Sequence, residues 1–149
     1  MFIKRVCYAI LGSLFMLVSA AHAEKSVAVG DYVIHYNTLN TSMLQPEIAK
    51  TYQVTRSKNR ALLMISIRKL NKADKTDVPA TAKEITAKMT NLIGQTNELP
   101  LRQVDEKEAI YYLNDFAINN EDTWKFDIKV SLEGQEVKDI NFSQQFFVD

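Results

Sequence analysis

The chain has 149 residues, with 18 basic and 18 acidic side chains and two histidines, so its formal net charge at pH 7 is zero. That balance argues against a nucleic-acid binder, which needs a basic stripe to displace phosphate counterions, and no polybasic patch is present for anionic lipid. A single cysteine, Cys7, excludes an internal disulfide, and a chain of this length suits one domain with a sizeable core.

The first elements are an address. Met1-Phe2-Ile3-Lys4-Arg5 is a cationic start, and Val6 to Ala21 is an apolar run of sixteen residues, shorter than the ~20 that span a bilayer. Ala21-His22-Ala23 then sets small residues at the two positions a signal peptidase reads. This pattern predicts a secretory signal peptide over 1–23, cleaved after Ala23, with an uncleaved membrane anchor as the alternative. Cys7 lies at the start of the apolar run rather than its end, which disfavours a lipoprotein. The Lys4-Arg5 pair and the single Ala-His-Ala site suit bacterial export to the periplasm; a secreted eukaryotic protein is the other option. The mature chain, 24–149, has no stable membrane anchor and no cysteine. It loses Lys4 and Arg5, leaving 16 basic against 18 acidic residues, a net charge near −2.

Along the mature chain, Tyr32, Ile34 and Tyr36 alternate with Val33, His35 and Asn37, which predicts a strand with apolar character on both faces. Gln45 to Tyr52 reads as a short helix, with Pro46 at the first helical position and Glu47 at the positive end of the dipole. Arg60 to Leu70 is a strand with Leu63, Ile65 and Ile67 on one face and Leu62 and Met64 on the other. The polar stretch Asn71 to Asp77 reads as a solvated loop. Ala80 to Ile93 is divided: Ala82, Ile85, Met89, Leu92 and Ile93 recur at helical spacing, whereas Thr81, Thr86 and Thr90 favour a strand.

Leu99 to Val104 is a short strand, and Pro100 suggests a sheet edge. Ala109 to Phe116 is another. Trp124, Phe126, Ile128, Val130 and Leu132 alternate strictly with polar residues, which predicts a half-buried strand. Glu133-Gly134-Gln135 turns it into a partner over Val137 to Val148, forming a hairpin. Phe147 falls out of phase beside Phe146. The last strand, with Gln144-Gln145 between aromatics, is a candidate exposed edge.

Several motifs recur in order: Gly30-Asp31-Tyr32, His35-Tyr36-Asn37, Leu44-Gln45-Pro46-Glu47, Arg56-Ser57-Lys58, Thr90-Asn91-Leu92-Ile93-Gly94-Gln95, Ile110-Tyr111-Tyr112-Leu113 and Phe142-Ser143-Gln144-Gln145-Phe146. Together they resemble an exported bacterial family catalogued as domain of unknown function 4426, over nearly the whole mature chain. The resemblance implies an all-β, immunoglobulin-like two-sheet antiparallel sandwich of about seven strands with one short helix near Pro46-Tyr52. It also implies that Ala80 to Ile93 is a strand. It supplies no catalytic residues.

The mature chain is poor in reactive groups. With one histidine and no thiol, zinc would need mostly carboxylate ligands. Copper(I) suits His35 with Met43, Met64 and Met89, although no Met-x-Met or His-x-Met cluster occurs and Met64 and Met89 read as core. A serine nucleophile would need His35 as base, and no Gly-x-Ser-x-Gly elbow exposes one. Paired carboxylates for glycoside hydrolysis would come from Asp105-Glu106-Lys107-Glu108 or Asn120-Glu121-Asp122, both read as loops. No catalytic residue, metal ligand or cofactor is assigned. The candidate binding face is His35 and Asn37 on the first strand with Arg56 and Lys58 approaching the next. The expected function is a non-catalytic binding or accessory module of the cell envelope with a protein or small-ligand partner. Copper handling and envelope-glycan hydrolysis are the alternatives.

Overall fold

The computed structural model describes residues 25–148; the signal sequence, its cleavage site and Cys7 lie outside the described residues. Ten strands build two antiparallel sheets: β1 (Lys25–Val29), β2 (Tyr32–Asn40), β3 (Arg60–Asn71), β4 (Thr76–Ala80), β5 (Glu84–Asn91), β6 (Thr96–Leu99), β7 (Arg102–Asp105), β8 (Ile110–Ala117), β9 (Thr123–Ser131) and β10 (Lys138–Gln145). The first sheet runs β1-β2-β3-β8-β7 and the second β10-β9-β5-β6. The far edge of β3 is shared, Arg60–Ser66 pairing with β8 and Ile67–Asn71 with β4.

Period-two patterning places the core. Leu63, Ile65 and Ile67 of β3 point inward, with Ile34 of β2, Ala87 and Met89 of β5, and Phe126, Ile128 and Val130 of β9. The Phe126 and Phe142 rings stack at 4.9 Å between centroids, and Phe116 meets Phe126 at 5.7 Å. The β9–β10 hairpin registers Phe142 against Phe126 and Ile140 against Ile128, as the alternation predicts.

A second apolar layer covers the outer face of the first sheet. After β2, a 3-10 turn (Thr41–Met43) and the helix α1 (Pro46–Thr51) carry the chain across it. Tyr52 and Val54 bury Leu62 and Leu113, both fully enclosed, with Leu39, Met64 and Tyr111 packed around them. This explains why β3 is apolar on both faces.

Three expectations change in detail. Ala80 to Ile93 is not a helix; β5 occupies Glu84–Asn91, hydrogen-bonded on both edges by β6 and β9, so ladder pairing overrides the 3.6-residue spacing. Leu99 to Val104 is not one strand. Pro100 and Leu101 carry the chain from one sheet to the other, so Leu99 ends β6 and Arg102 begins β7, each at the edge of its own sheet. The Asn71–Asp77 loop is confined to its centre: β3 reaches Asn71 and β4 starts at Thr76, with the Asp74 carboxylate accepting from Thr76 N and Oγ1. With β1 and β4 added and one strand divided, about seven strands become ten.

Candidate functional site

A groove opens at the end of the sandwich where the Asn37–Asn40 end of β2 lies. Lys25 pairs with Tyr36, so Asn37 to Asn40 continue along β3 with no β1 residue beside them among the described residues. Facing them is the end of β10, an edge strand. Between them lies a cleft of about 460 Å³ lined by Lys25, Asn37–Asn40, Met43 and Gln144–Phe147. Its size falls in the range of ~300–1,000 Å³ usual for ligand sites.

Local bonding shapes this cleft. Asn37 Oδ1 accepts the Thr38 N–H at 2.9 Å, so the edge partly caps itself. Asn40 Nδ2 donates to the Phe147 carbonyl at 2.7 Å, tying the two sheets together at the cleft. Phe146 turns into the core at 3% exposure while Phe147 stands 51% exposed, which resolves the out-of-phase pair. Lys25 Nζ lies 4.6 Å from the Phe142 ring centroid. Among the described residues the lining therefore offers one ammonium, several amides and apolar walls from Leu39, Met43 and Phe147, with no carboxylate and no imidazole. Such a set holds a ligand by contact and hydrogen bonding; it contains no acid–base pair for catalysis.

The β5–β6 tip stands at the same end. Asn91 organises it: its N–H donates to the Gln95 carbonyl (2.9 Å), and its carbonyl accepts from Gly94 N (3.1 Å). Its Oδ1 accepts from Ile93 N (3.1 Å) and Gln95 N (2.8 Å), and its Nδ2 donates to Gln95 Oε1 (2.8 Å). Gly94 supplies the left-handed φ of +85°. A smaller cleft links Leu92 and Ile93 to Glu121 and Asp122 of the β8–β9 loop and to Thr123 at the start of β9.

The four candidate binding residues are dispersed. His35 and Asn37 share the outer face of β2, His35 opposite Ser66 and Asn37 opposite Met64. Arg56 lies in the loop after α1 and donates from Nη2 to the Ser42 carbonyl at 3.2 Å. Lys58 is exposed in the turn before β3. Of the four, Asn37 lines the groove. Lys25 and Met43 also line it; Lys25 does not stand out in the sequence and Met43 does so only as a copper(I) donor, because the groove forms where two strand ends meet. Gln144 and Gln145 do lie on an edge strand, as their pattern predicts.

The other chemistries find little support. Met89 is in the core between the sheets, Met64 is in the outer layer, and Met43 is exposed at the groove. No group of three His, Cys, Asp or Glu side chains that could hold a metal ion occurs among the described residues. Glu108 and Asp122 flank opposite ends of β8, whose eight residues span roughly 25 Å, far beyond the ~5–9.5 Å of a glycosidase pair. Ser66 and Lys69 have a Ser-x-x-Lys spacing. On β3 residues three apart face opposite sides of the sheet, and Lys69 Nζ sits 5.3 Å from the Tyr32 ring instead.

In the outer layer, burial pushes the Tyr52 phenol from 10.0 up to about 12, with further contributions from a hydrogen bond and the charge of Glu106 and from Tyr111. The Arg102 guanidinium donates to the Tyr52 carbonyl. These contacts hold α1 on the sheet rather than form a solvent-facing site.

The profile of the domain of unknown function DUF4426 matches residues 26–149. The chain belongs to the DUF4426 family. A DUF4426 protein from Pseudomonas aeruginosa PAO1 has a similar crystal structure, at 32% identity and a TM-score of 0.69, covering 85% of this chain and 96% of that one. A copper-bound variant of FetP from uropathogenic Escherichia coli strain F11 shares the fold at 11% identity and a TM-score of 0.54, covering 83% of this chain and 95% of that one. No curated protein sequence matches.

Proposed function

We propose that this DUF4426 chain is exported to the periplasm and acts there as a non-catalytic binding module, with the groove between β2 and β10 as its recognition site. The observation that carries this reading is the groove itself, an open cleft with one cation, amides and apolar walls. The cationic start and apolar run before Ala23 support export. Two measurements test the reading. N-terminal sequencing of the protein recovered from the periplasmic fraction should begin at Glu24. Affinity capture from that fraction should enrich a species with the wild-type chain and lose it with Phe147→Asp. Equal capture by both would remove the groove from the reading.

A copper-handling reading rests on a narrower observation. His35 and Met64 are diagonal neighbours on the outer face of β2 and β3, and imidazole with thioether is a donor set that suits copper(I). Met89, enclosed between the sheets, is out of reach of that pair. The binding-module reading uses more of what the fold presents at its surface.

A further inference from the structure

The end of the sandwich that carries the groove also carries the most exposed large apolar side chains among the described residues. Ile93 is 80% and Leu92 73% exposed, and Met43 and Phe147 stand at the same end at 58% and 51%. The tip bearing Leu92 and Ile93 is held by the Asn91 side chain and cannot easily fold back to hide them. A fixed, protruding apolar pair is the form of a contact anchor rather than of a solvated turn.

Charge selects the occupant. Glu121 and Asp122 border the tip, and Lys25 stands in the groove. Carboxylates beside an apolar anchor disfavour an anionic bilayer. They complement a cleft with apolar walls that carries an ammonium, and this chain has such a cleft. The tip and the groove lie at one end but on different strands: from β10 to β5 is two strand spacings, roughly 10 Å. A twofold axis across that end, perpendicular to the strands, sets each tip against the groove of the other copy. The arrangement closes as a pair and leaves no unmatched half to propagate.

We infer that this end is self-complementary and that its partner is a second copy of the chain, Leu92 and Ile93 of each copy seated in the groove of the other. This rests on the groove being a recognition site. An end-on contact of this kind is at the small end of the interface range, so the dimer is weak and reversible.

Sedimentation equilibrium of the protein recovered from cells expressing the full chain tests the inference. The expected result is a concentration-dependent monomer–dimer equilibrium that Leu92→Asp weakens at least about tenfold. Below the concentration at which the dimer forms, the thermal midpoint stays unchanged, because Leu92 of the monomer is already in water. Lys25→Glu weakens the dimer, and Lys25→Glu with Glu121→Lys restores it. A monomer up to about 1 mM, a dimer indifferent to Leu92→Asp, or a charge reversal that fails to restore association overturns it. A monomer whose groove residues still crosslink another protein retires the dimer alone, in favour of that partner. A monomer without such crosslinks retires the groove as well.

Discussion

Thr41 and Ser57 exchange two hydrogen bonds. The Thr41 hydroxyl donates to the Ser57 carbonyl at 3.1 Å and accepts the Ser57 N–H at 2.9 Å. Thr41 has 0% exposure and is the buried polar side chain of the described residues. The pair closes the excursion that carries α1 over the outer face of the first sheet, so one threonine anchors both ends of the cover on Leu62 and Leu113.

Replacing Thr41 by valine keeps the shape and strands two backbone groups of Ser57. The expected cost is about 1–3 kcal/mol. Urea denaturation should show a lower midpoint with an unchanged slope; an unchanged midpoint would mean that water satisfies those groups.

The Tyr52 phenol gives the fold an alkaline limit. Its value rises from 10.0 in the ordinary case to about 12 in the folded chain, chiefly through burial. Its contribution to stability is therefore fully present below pH 10 and is lost between pH 10 and 12, where the unfolded chain ionises first. The loss across that window is at most about 2–3 kcal/mol, reduced by the solvent that reaches the phenol. Tyr52→Phe should flatten the fall in stability between pH 9 and 12; an equally steep fall in the variant would assign the effect elsewhere.

Gly30 leads the two-residue turn between β1 and β2 at φ +56°, the position where a type II′ hairpin takes glycine. An added Cβ would also come within 2.7–2.8 Å of the Gln135 side chain, which is flexible and can move. Gly30→Ala should cost about 1–2 kcal/mol, mostly from backbone strain. Thermal unfolding reads this directly.

Native mass spectrometry with copper(I) separates the two readings of the outer face. The binding-module reading predicts no stoichiometric adduct. One copper per chain, lost in both His35→Ala and Met64→Leu, would favour the metal reading instead.

The β9–β10 hairpin was legible because one of its faces is wet, so polar residues mark every second position from Lys125 to Ser131. β5 was not legible from spacing alone. Its helical count joined Ile85 and Met89, which face inward, to Leu92 and Ile93, which are apolar on an exposed tip. β1 is only five residues, and β4 is a charged edge containing Pro79; both exist through pairing to a neighbour rather than through patterning. The groove was the least legible feature. Asn37 and Gln144-Gln145 were visible as polar residues on strands, but the cleft depends on the end of β2 meeting the end of β10 across the two sheets, a juxtaposition that no local pattern records. Arg56-Ser57-Lys58 stood out by its charges, yet its buried anchor is the backbone of Ser57.

Photo-crosslinking in living cells tests the recognition site most directly. A photoreactive side chain is placed at Met43, at Phe147, or at Val137, which is equally exposed to solvent at the opposite end. The groove reading predicts one and the same adduct from Met43 and Phe147 and none from Val137. No adduct from the two groove positions, or the same adduct from all three, would contradict it.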